Sequence, residues 1–138
     1  MKEYTIDVDK WRCGWTGENQ IGNGNVRMLN GRGEMCCLGQ ISCQMGVDSE
    51  LMLDTVDPED VAEAIKNKGS RVSQEYLTHN PLIKYPRLGV IRNSKLASDA
   101  MDINDDDKIS TKERAKRLKA LFLKKGIKLR FKNIKKHL

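Results

Sequence analysis

The twelve residues DINDDDKISTKE, 102–113, put oxygen-bearing groups at the alternate positions that a calcium loop uses. Counted as an EF-hand loop, Asp102, Asn104, Asp106, Lys108 through its carbonyl, Ser110 and Glu113 fall at the ligating positions. Ile109 supplies the usual apolar anchor. Against this, Asp107 stands where a glycine ordinarily relieves a left-handed turn, at a cost of roughly 1 kcal/mol, and the sequence holds no second loop to pair with the first. Ser110 and Glu113 also spell the S-x-x-E capping box of a helix start. A plain helix–loop–helix therefore explains the same residues without metal, and it is the favoured reading. Calcium held by such a lone loop would bind weakly, at ~10⁻⁴ M. No other cofactor is indicated.

The remaining chemistry-bearing residues are few. Cys13, Cys36, Cys37 and Cys43 all lie in the first third of the chain. Zinc favours C-x-x-C pairs, in which one turn supplies two thiolates, whereas these four are scattered and His79 and His137 are distant. Small apolar packing residues, kept reduced, is the simpler reading. A Cys13 nucleophile with His79 as its base needs a juxtaposition that nothing in the sequence supplies. Gly22-x-Gly24 and Gly31-x-Gly33 are spaced to let a backbone approach phosphate, but neither continues into G-K-S/T, and turns explain both. With two histidines and no GxSxG or HExxH string, an enzyme is disfavoured.

Charge is the stronger signal. The 138 residues carry a net +6, yet residues 108–138 hold 13 Lys and Arg against Glu113 alone, and the preceding residues are net acidic. A segment of one sign concentrates polyanions around it by long-range attraction. The candidate anion contacts are Lys116, Arg117 and Lys124 on a helix and Lys128, Arg130 and Lys132 on a strand. Arg12 and Arg27 join them near Trp11 and Trp15, a mixture suited to stacking on a base while holding a phosphate. The competing reading buries the tryptophans in the core and leaves the basic face solvated, or neutralised by the chain's own acids.

These residues need elements to hold them. Tyr4, Ile6 and Val8 alternate with polar residues, which predicts a strand ending near Trp11. A Gly- and Asn-rich loop follows, and Asn30-Gly31 between apolar runs predicts a β-hairpin over 26–38. Leu38, Ile41, Met45 and Val47 predict a short helix that Gly46 stops. Asp57 as cap, Pro58 as first residue and Gly69 as terminator bound another helix. Residues 70–92 show no sustained period and read as irregular, with a short strand near Leu88 to Ile91. Leu96, Ala100 and Ile103 predict an amphipathic helix, and Ala115, Leu118, Leu121 and Phe122 a second, from Ser110 to Gly126. Ile127, Leu129 and Phe131 then alternate with Lys128, Arg130 and Lys132, predicting a last strand that joins the N-terminal sheet.

Together these elements predict one α+β domain over 1–138, with a strongly basic segment at 108–138. Its small, mostly antiparallel sheet comprises the N-terminal strand, the central hairpin and the C-terminal strand, packed with three to four helices. Hydrophobic residues at 38% and charged residues at 32% suit a chain that folds. MKEYTIDVDKW has no apolar run resembling an export signal, and no stretch approaches the roughly 18 apolar residues of a membrane span. A cytoplasmic protein without membrane contact is expected.

The strings WRCG at 11–14, LNGRGEMCCLGQ at 29–40 and AMDINDDDKIS at 100–110 resemble a family of small proteins encoded by tailed bacteriophages and prophages. In that family the INDD segment precedes a capped helix and does not reliably complete a calcium loop. The resemblance brings no activity to transfer. It implies a setting, the bacterial cytoplasm, and with the charge it leads to an expected function. That function is a non-enzymatic accessory protein that binds and sequesters or inhibits an anionic host target, whether host protein, nucleotide signal or nucleic acid. Antagonism of host defence follows from the setting. A calcium-binding module at 102–113 and a small cysteine- or metal-dependent enzyme stay open as alternatives.

Overall fold

The computed structural model describes residues 2–13, 20–21, 25–26, 28–30, 32–52, 55–68, 73–84 and 90–138. In chain order they form β1 (Lys2–Asp7), β2 (Gln20–Ile21), β3 (Asn25–Val26), α1 (Cys37–Gln44), α2 (Pro58–Lys68), α3 (Ser73–Thr78), β4 (Ile83–Lys84), β5 (Arg92–Asn93), α4 (Lys95–Asn104), α5 (Thr111–Leu123) and β6 (Ile127–Lys132). Short 3-10 turns cover Val8–Lys10, Ser49–Met52 and Ile134–His137. Among the described residues no helix is long and apolar enough to cross a membrane.

The mixed α and β composition matches the expectation, and the terminal strand does join the N-terminal one. The direction differs: β1 and β6 pair in parallel, with Lys2 opposite Ile127 and Asp7 opposite Lys132. A parallel pair needs a crossover, and here the whole intervening chain supplies it. Period-2 alternation survives in both strands. Tyr4 and Ile6 on β1 and Ile127, Leu129 and Phe131 on β6 are buried, while Lys128, Arg130 and Lys132 are exposed. α5 turns into β6 through Gly126, whose φ of 75° few other residues adopt, and packs against it. α1 packs against β1, and α4 lies against both α1 and α5. Leu38, Ile41, Leu118 and Phe122 are fully buried between these layers, each contributing roughly 2 kcal/mol by its removal from water.

A two-stranded sheet has two edges to satisfy, and α1 seals one of them. Gln44 Oε1 accepts from the Thr5 N–H at 2.9 Å and its Nε2 donates to the Thr5 carbonyl at 2.8 Å. One turn earlier, Gln40 Oε1 accepts from the Asp7 N–H at 2.7 Å, and Nε2 donates to the carbonyls of Asp7 and Lys10 at 3.2 and 3.3 Å. Spaced i, i+4 on one helical face, the two carboxamides stand in for a neighbouring strand.

The expected hairpin at 26–38 is corrected. It contributes no strand to the β1–β6 sheet; what forms is a short antiparallel reversal, with Leu29 bridged to Met35 and flanking bonds from the Asn30 N–H to the Glu34 carbonyl and from the Cys36 N–H to the Met28 carbonyl, each 2.9 Å. The cause is the Asn30 side chain, whose Oδ1 accepts from the N–H groups of Arg32 and Glu34 at 2.9 and 3.0 Å. That cradle opens a turn wider than two residues, closed by Gly33 at φ 79°. Met35 instead bridges in parallel to Trp11, and Cys36 then starts α1. The 70–92 stretch, expected to be irregular, holds α3 and β4, the latter paired with β5. Six residues are too few to show a helical period, and α3 is fixed from outside by buried Tyr76, whose hydroxyl lies 3.0 Å from Ser42 Oγ. Of the strand expected near Leu88 to Ile91, residues 88–89 lie outside the described residues and Val90 and Ile91 are not in a strand; β5 follows at Arg92–Asn93.

Beyond β6 the chain folds back over the end of β1. Asn133 Nδ2 donates to Asp7 Oδ1 at 3.0 Å, and Lys136 and His137 reach Asp9 at 3.6 and 2.8 Å. The hydrogen bond with His137, reinforced by the charge of Lys136, holds the Asp9 carboxyl below its ordinary range. A lowered carboxyl stabilises the fold above its unfolded pKa, and that contribution is lost as pH falls through the folded value. His137→Ala is expected to move the Asp9 titration upward in a carbon-detected NMR titration.

Gln40→Ala strips partners from both peptide groups of Asp7 where little water reaches. We expect a loss of about 1–3 kcal/mol, read as a lower urea midpoint at unchanged slope, with faster exchange of the Asp7 amide proton. Gln44→Ala, at an exposed position, costs less.

Candidate functional site

The three strings singled out in the sequence meet at one buried polar junction. Asn104, 1% exposed at the end of α4, accepts on Oδ1 from Trp11 Nε1 at 2.7 Å and from the Cys37 N–H at 3.0 Å. Its Nδ2 donates to the Arg12 carbonyl at 2.9 Å and to Asp105 Oδ1 at 3.0 Å. Arg12, itself 3% exposed, places Nη1 2.7 Å from the same Asp105 oxygen. Burial opposes the Arg12 charge, and Asp105 offsets that cost. The glycine of CCLG belongs here too: a Cβ on Gly39 would stand 3.3 Å from the Met28 carbonyl oxygen and 3.2 Å from Met35 Cβ. Cys36 caps α1, its Sγ accepting from the Gly39 N–H at 3.3 Å.

This junction re-reads the residues of the loop. α4 runs through Asn104, so Asp102 and Asn104 are helical, Asp102 exposed and Asn104 turned to the core. Both lone pairs of the Asn104 oxygen are already used. Asp106 Oδ1 accepts from the Lys108 N–H at 2.8 Å, and Ser110 Oγ caps α5 by accepting from the Glu113 N–H at 3.1 Å. Glu113 turns its carboxylate to Arg117 at 2.9 Å. The positive charge serving the loop is Arg114, whose Nη2 donates to the Asp106 and Ile109 carbonyls at 2.5 and 3.3 Å. Its guanidinium lies 5.9 Å from the centre of the Trp11 ring. Among the described residues no three His, Cys, Asp or Glu side chains converge as a metal would require.

The cysteines are four free thiols. Burial pushes Cys13 up to about 12, against the pull of Arg114 and Arg12, and raises Cys36, Cys37 and Cys43 as well. A raised pKa keeps these thiols protonated, which disfavours a thiolate nucleophile. His79 lines a cleft of about 370 Å³ with Lys2, Tyr4, Gln44 and Met45, at the opposite end of β1 from Cys13.

The anion-binding candidates divide. Arg12 is corrected: it is buried and its charge belongs to Asp105. Arg27 and Trp15 lie outside the described residues. Arg117 pairs with Glu113, Arg130 with Glu3 at 3.2 Å, and Lys132 with Asp7 at 3.7 Å. Exposed pairs of this kind are worth about 0–1 kcal/mol, so they blunt these cations without consuming them. Lys116, Lys124 and Lys128 are exposed and meet no carboxylate among the described residues, as is also true of Lys112 and Lys125. The buried faces of α5 and β6 meet each other, so the cations of α5 and those of β6 flank β6 on two sides. Lys119, 5.8 Å from the Phe131 ring centre, marks where the sides join.

Sequence reading missed the junction. The available signal was a polar residue on an apolar stripe: Asn104 continues Leu96 and Ala100 on α4, and Arg114 continues Leu118 and Phe122 on α5. Comparison with protein-family models, with curated proteins and with solved structures gives no match to this chain.

Asn104→Ala leaves Trp11 Nε1 and the Cys37 N–H buried without acceptors, and a loss on the order of 3 kcal/mol is expected from chemical denaturation. Millimolar calcium is expected to leave the melting temperature unchanged, since an ion seated there would have to displace Asn104 from the junction. A calcium-dependent rise in melting temperature that Glu113→Gln abolishes would contradict this geometry.

Proposed function

We propose that this is a non-enzymatic binding protein that docks an anionic partner on the cations around β6, and so sequesters or inhibits it. One observation carries the reading: Lys112, Lys116, Lys124, Lys125 and Lys128 are exposed without a carboxylate partner among the described residues. Charges of one sign, here presented on two sides of β6, draw a polyanion in from a distance. Among the described residues no arrangement of nucleophile, base and orienting group competes with this, since burial holds the Cys13 thiol protonated and His79 lies at the other end of β1.

The resemblance of the WRCG, MCCLG and INDD strings to a phage family supports a phage-encoded protein acting in a bacterial cytoplasm. Those strings build the junction, so they speak for a shared scaffold and leave the ligand to the surface. The partner is then an acidic component of the host, and interference with host defence is the role that fits the setting.

Lys116→Glu combined with Lys124→Glu and Lys128→Glu tests the reading. Affinity for a heparin matrix or a labelled single-stranded DNA should fall linearly with log salt in the unaltered protein. In the triple variant it should drop roughly tenfold or more at low salt, at a nearly unchanged melting temperature. Equal binding by both proteins would overturn the assignment of these lysines.

A further inference from the structure

The cleft beside His79 is built by three elements at the start of β1. Lys2 and Tyr4 come from β1, Gln44 and Met45 from the end of α1, and His79 from just after α3. α1 runs antiparallel to β1, since Gln40 reaches Asp7 and Gln44 reaches Thr5, and this brings the last turn of the helix to the first residues of the strand. The contact of Tyr76 with Ser42 sets α3 against the same helix. Alternation places Lys2 on the face of β1 that carries Tyr4 and Ile6, the opposite face from Glu3 and its partner Arg130. The cleft is accessible: Lys2, Gln44 and His79 are exposed, Met45 is half-buried, and Tyr4 lies buried beneath them.

Size and charge select the occupant. A volume of about 370 Å³ stands at the small end of the roughly 300–1,000 Å³ of ligand pockets, which suits one small molecule and no polymer. Among the described residues no carboxylate lines the cleft, and the side chains of Lys2 and His79 make no hydrogen bond or ion pair with any described residue. Gln44 does not compete for them: its Oε1 accepts from Thr5 and its Nε2 donates to the carbonyls of Thr5 and Gln40, which fixes that wall in place. Donors of this kind call for an anion. A lysine serves phosphate as a point charge, whereas a planar carboxylate is best matched by the fork of an arginine, and none lines this cleft among the described residues. The thioether of Met45 and the ring of Tyr4 offer the soft surface on which an aromatic group packs. We propose that this cleft binds a small aromatic phosphate monoester, its phosphate held by Lys2 and His79 and its ring laid against Met45 and Tyr4. The site is separate from the cations around β6 and does not depend on what they bind.

The probe is phenyl phosphate, with inorganic phosphate and phenol as comparison arms that lack the ring or the charge. Titrated into the full chain and followed by NMR, phenyl phosphate should shift the amides of Lys2, Tyr4, Met45 and His79 and the Met45 methyl, and it should bind several-fold tighter than either arm. Lys2→Gln and His79→Gln, both at exposed positions, should each weaken it about tenfold, the scale of one hydrogen bond to a charged group, at an unchanged melting temperature. The triple variant of Lys116, Lys124 and Lys128 should bind it as the unaltered protein does. Inorganic phosphate binding as tightly as phenyl phosphate overturns the aromatic contact and with it the proposal. Shifts confined to α5 and β6, or binding lost in the triple variant, overturn it in favour of the basic surface. The absence of any shift overturns it outright and leaves the reading of β6 untouched.

Discussion

The Asn104 carboxamide is the point at which distant parts of this chain are held together. Its oxygen accepts twice and its nitrogen donates twice, which exhausts the capacity of the group. The partners come from the segment after β1, from the first turn of α1, and from the adjoining Asp105. A buried amide with all its bonds made adds specificity at little net cost, whereas one with a bond missing costs the full desolvation of the orphaned group. Packing between α4, α1 and the Trp11 segment is thus tied to a directional constraint that hydrophobic contact alone would not impose. Trp11 adds a ring contact to Phe131, 5.2 Å between centres, which extends the constraint to β6.

The same constraint explains why a loop of calcium-like spelling is built as it is. Aspartates cluster at 105–107 for reasons that differ one by one: Asp105 neutralises a buried arginine, Asp106 closes a tight turn on Lys108, and Asp107 is exposed. A fixed guanidinium, Arg114, collects the carbonyls that would otherwise face inward without partners. Asp105 and Asp106 thus serve a turn that holds one cation and reverses direction between two helices.

Elements whose evidence is local were legible in the sequence. β1 and β6 show alternation, α2 has its Asp57 and Pro58 start, and α4 and α5 show serine caps and apolar stripes; all five appear, although β1 ends at Asp7, short of the expected Trp11, because Val8–Lys10 turns into a 3-10 helix, and α5 ends at Leu123. What depended on tertiary partners was not legible. Strand direction leaves no mark in a six-residue alternation, so the parallel pairing could not be read. The Asn30 signal was real as a chain reversal, but the Asn30 side chain widened the turn and the short paired flanks do not join the β1–β6 sheet. Gln40 and Gln44 looked like ordinary polar positions on a short helix until β1 was beside them. For the candidate site, the cations of α5 and β6 were legible as charge, while the pairing of Arg130 and Lys132 with β1 carboxylates required the register.

The pairing of β1 with β6 joins segments about 125 positions apart, and this has a consequence for the order of assembly. A ribosome delivers β6 long after β1, so β1 cannot complete its ladder during most of synthesis, and contacts of such long range slow folding. α1 emerges early, and the amides of Gln40 and Gln44 can grip β1 before its true neighbour exists. The nascent chain thereby shields one flank of an otherwise adhesive strand, leaving the other flank open until β6 is made.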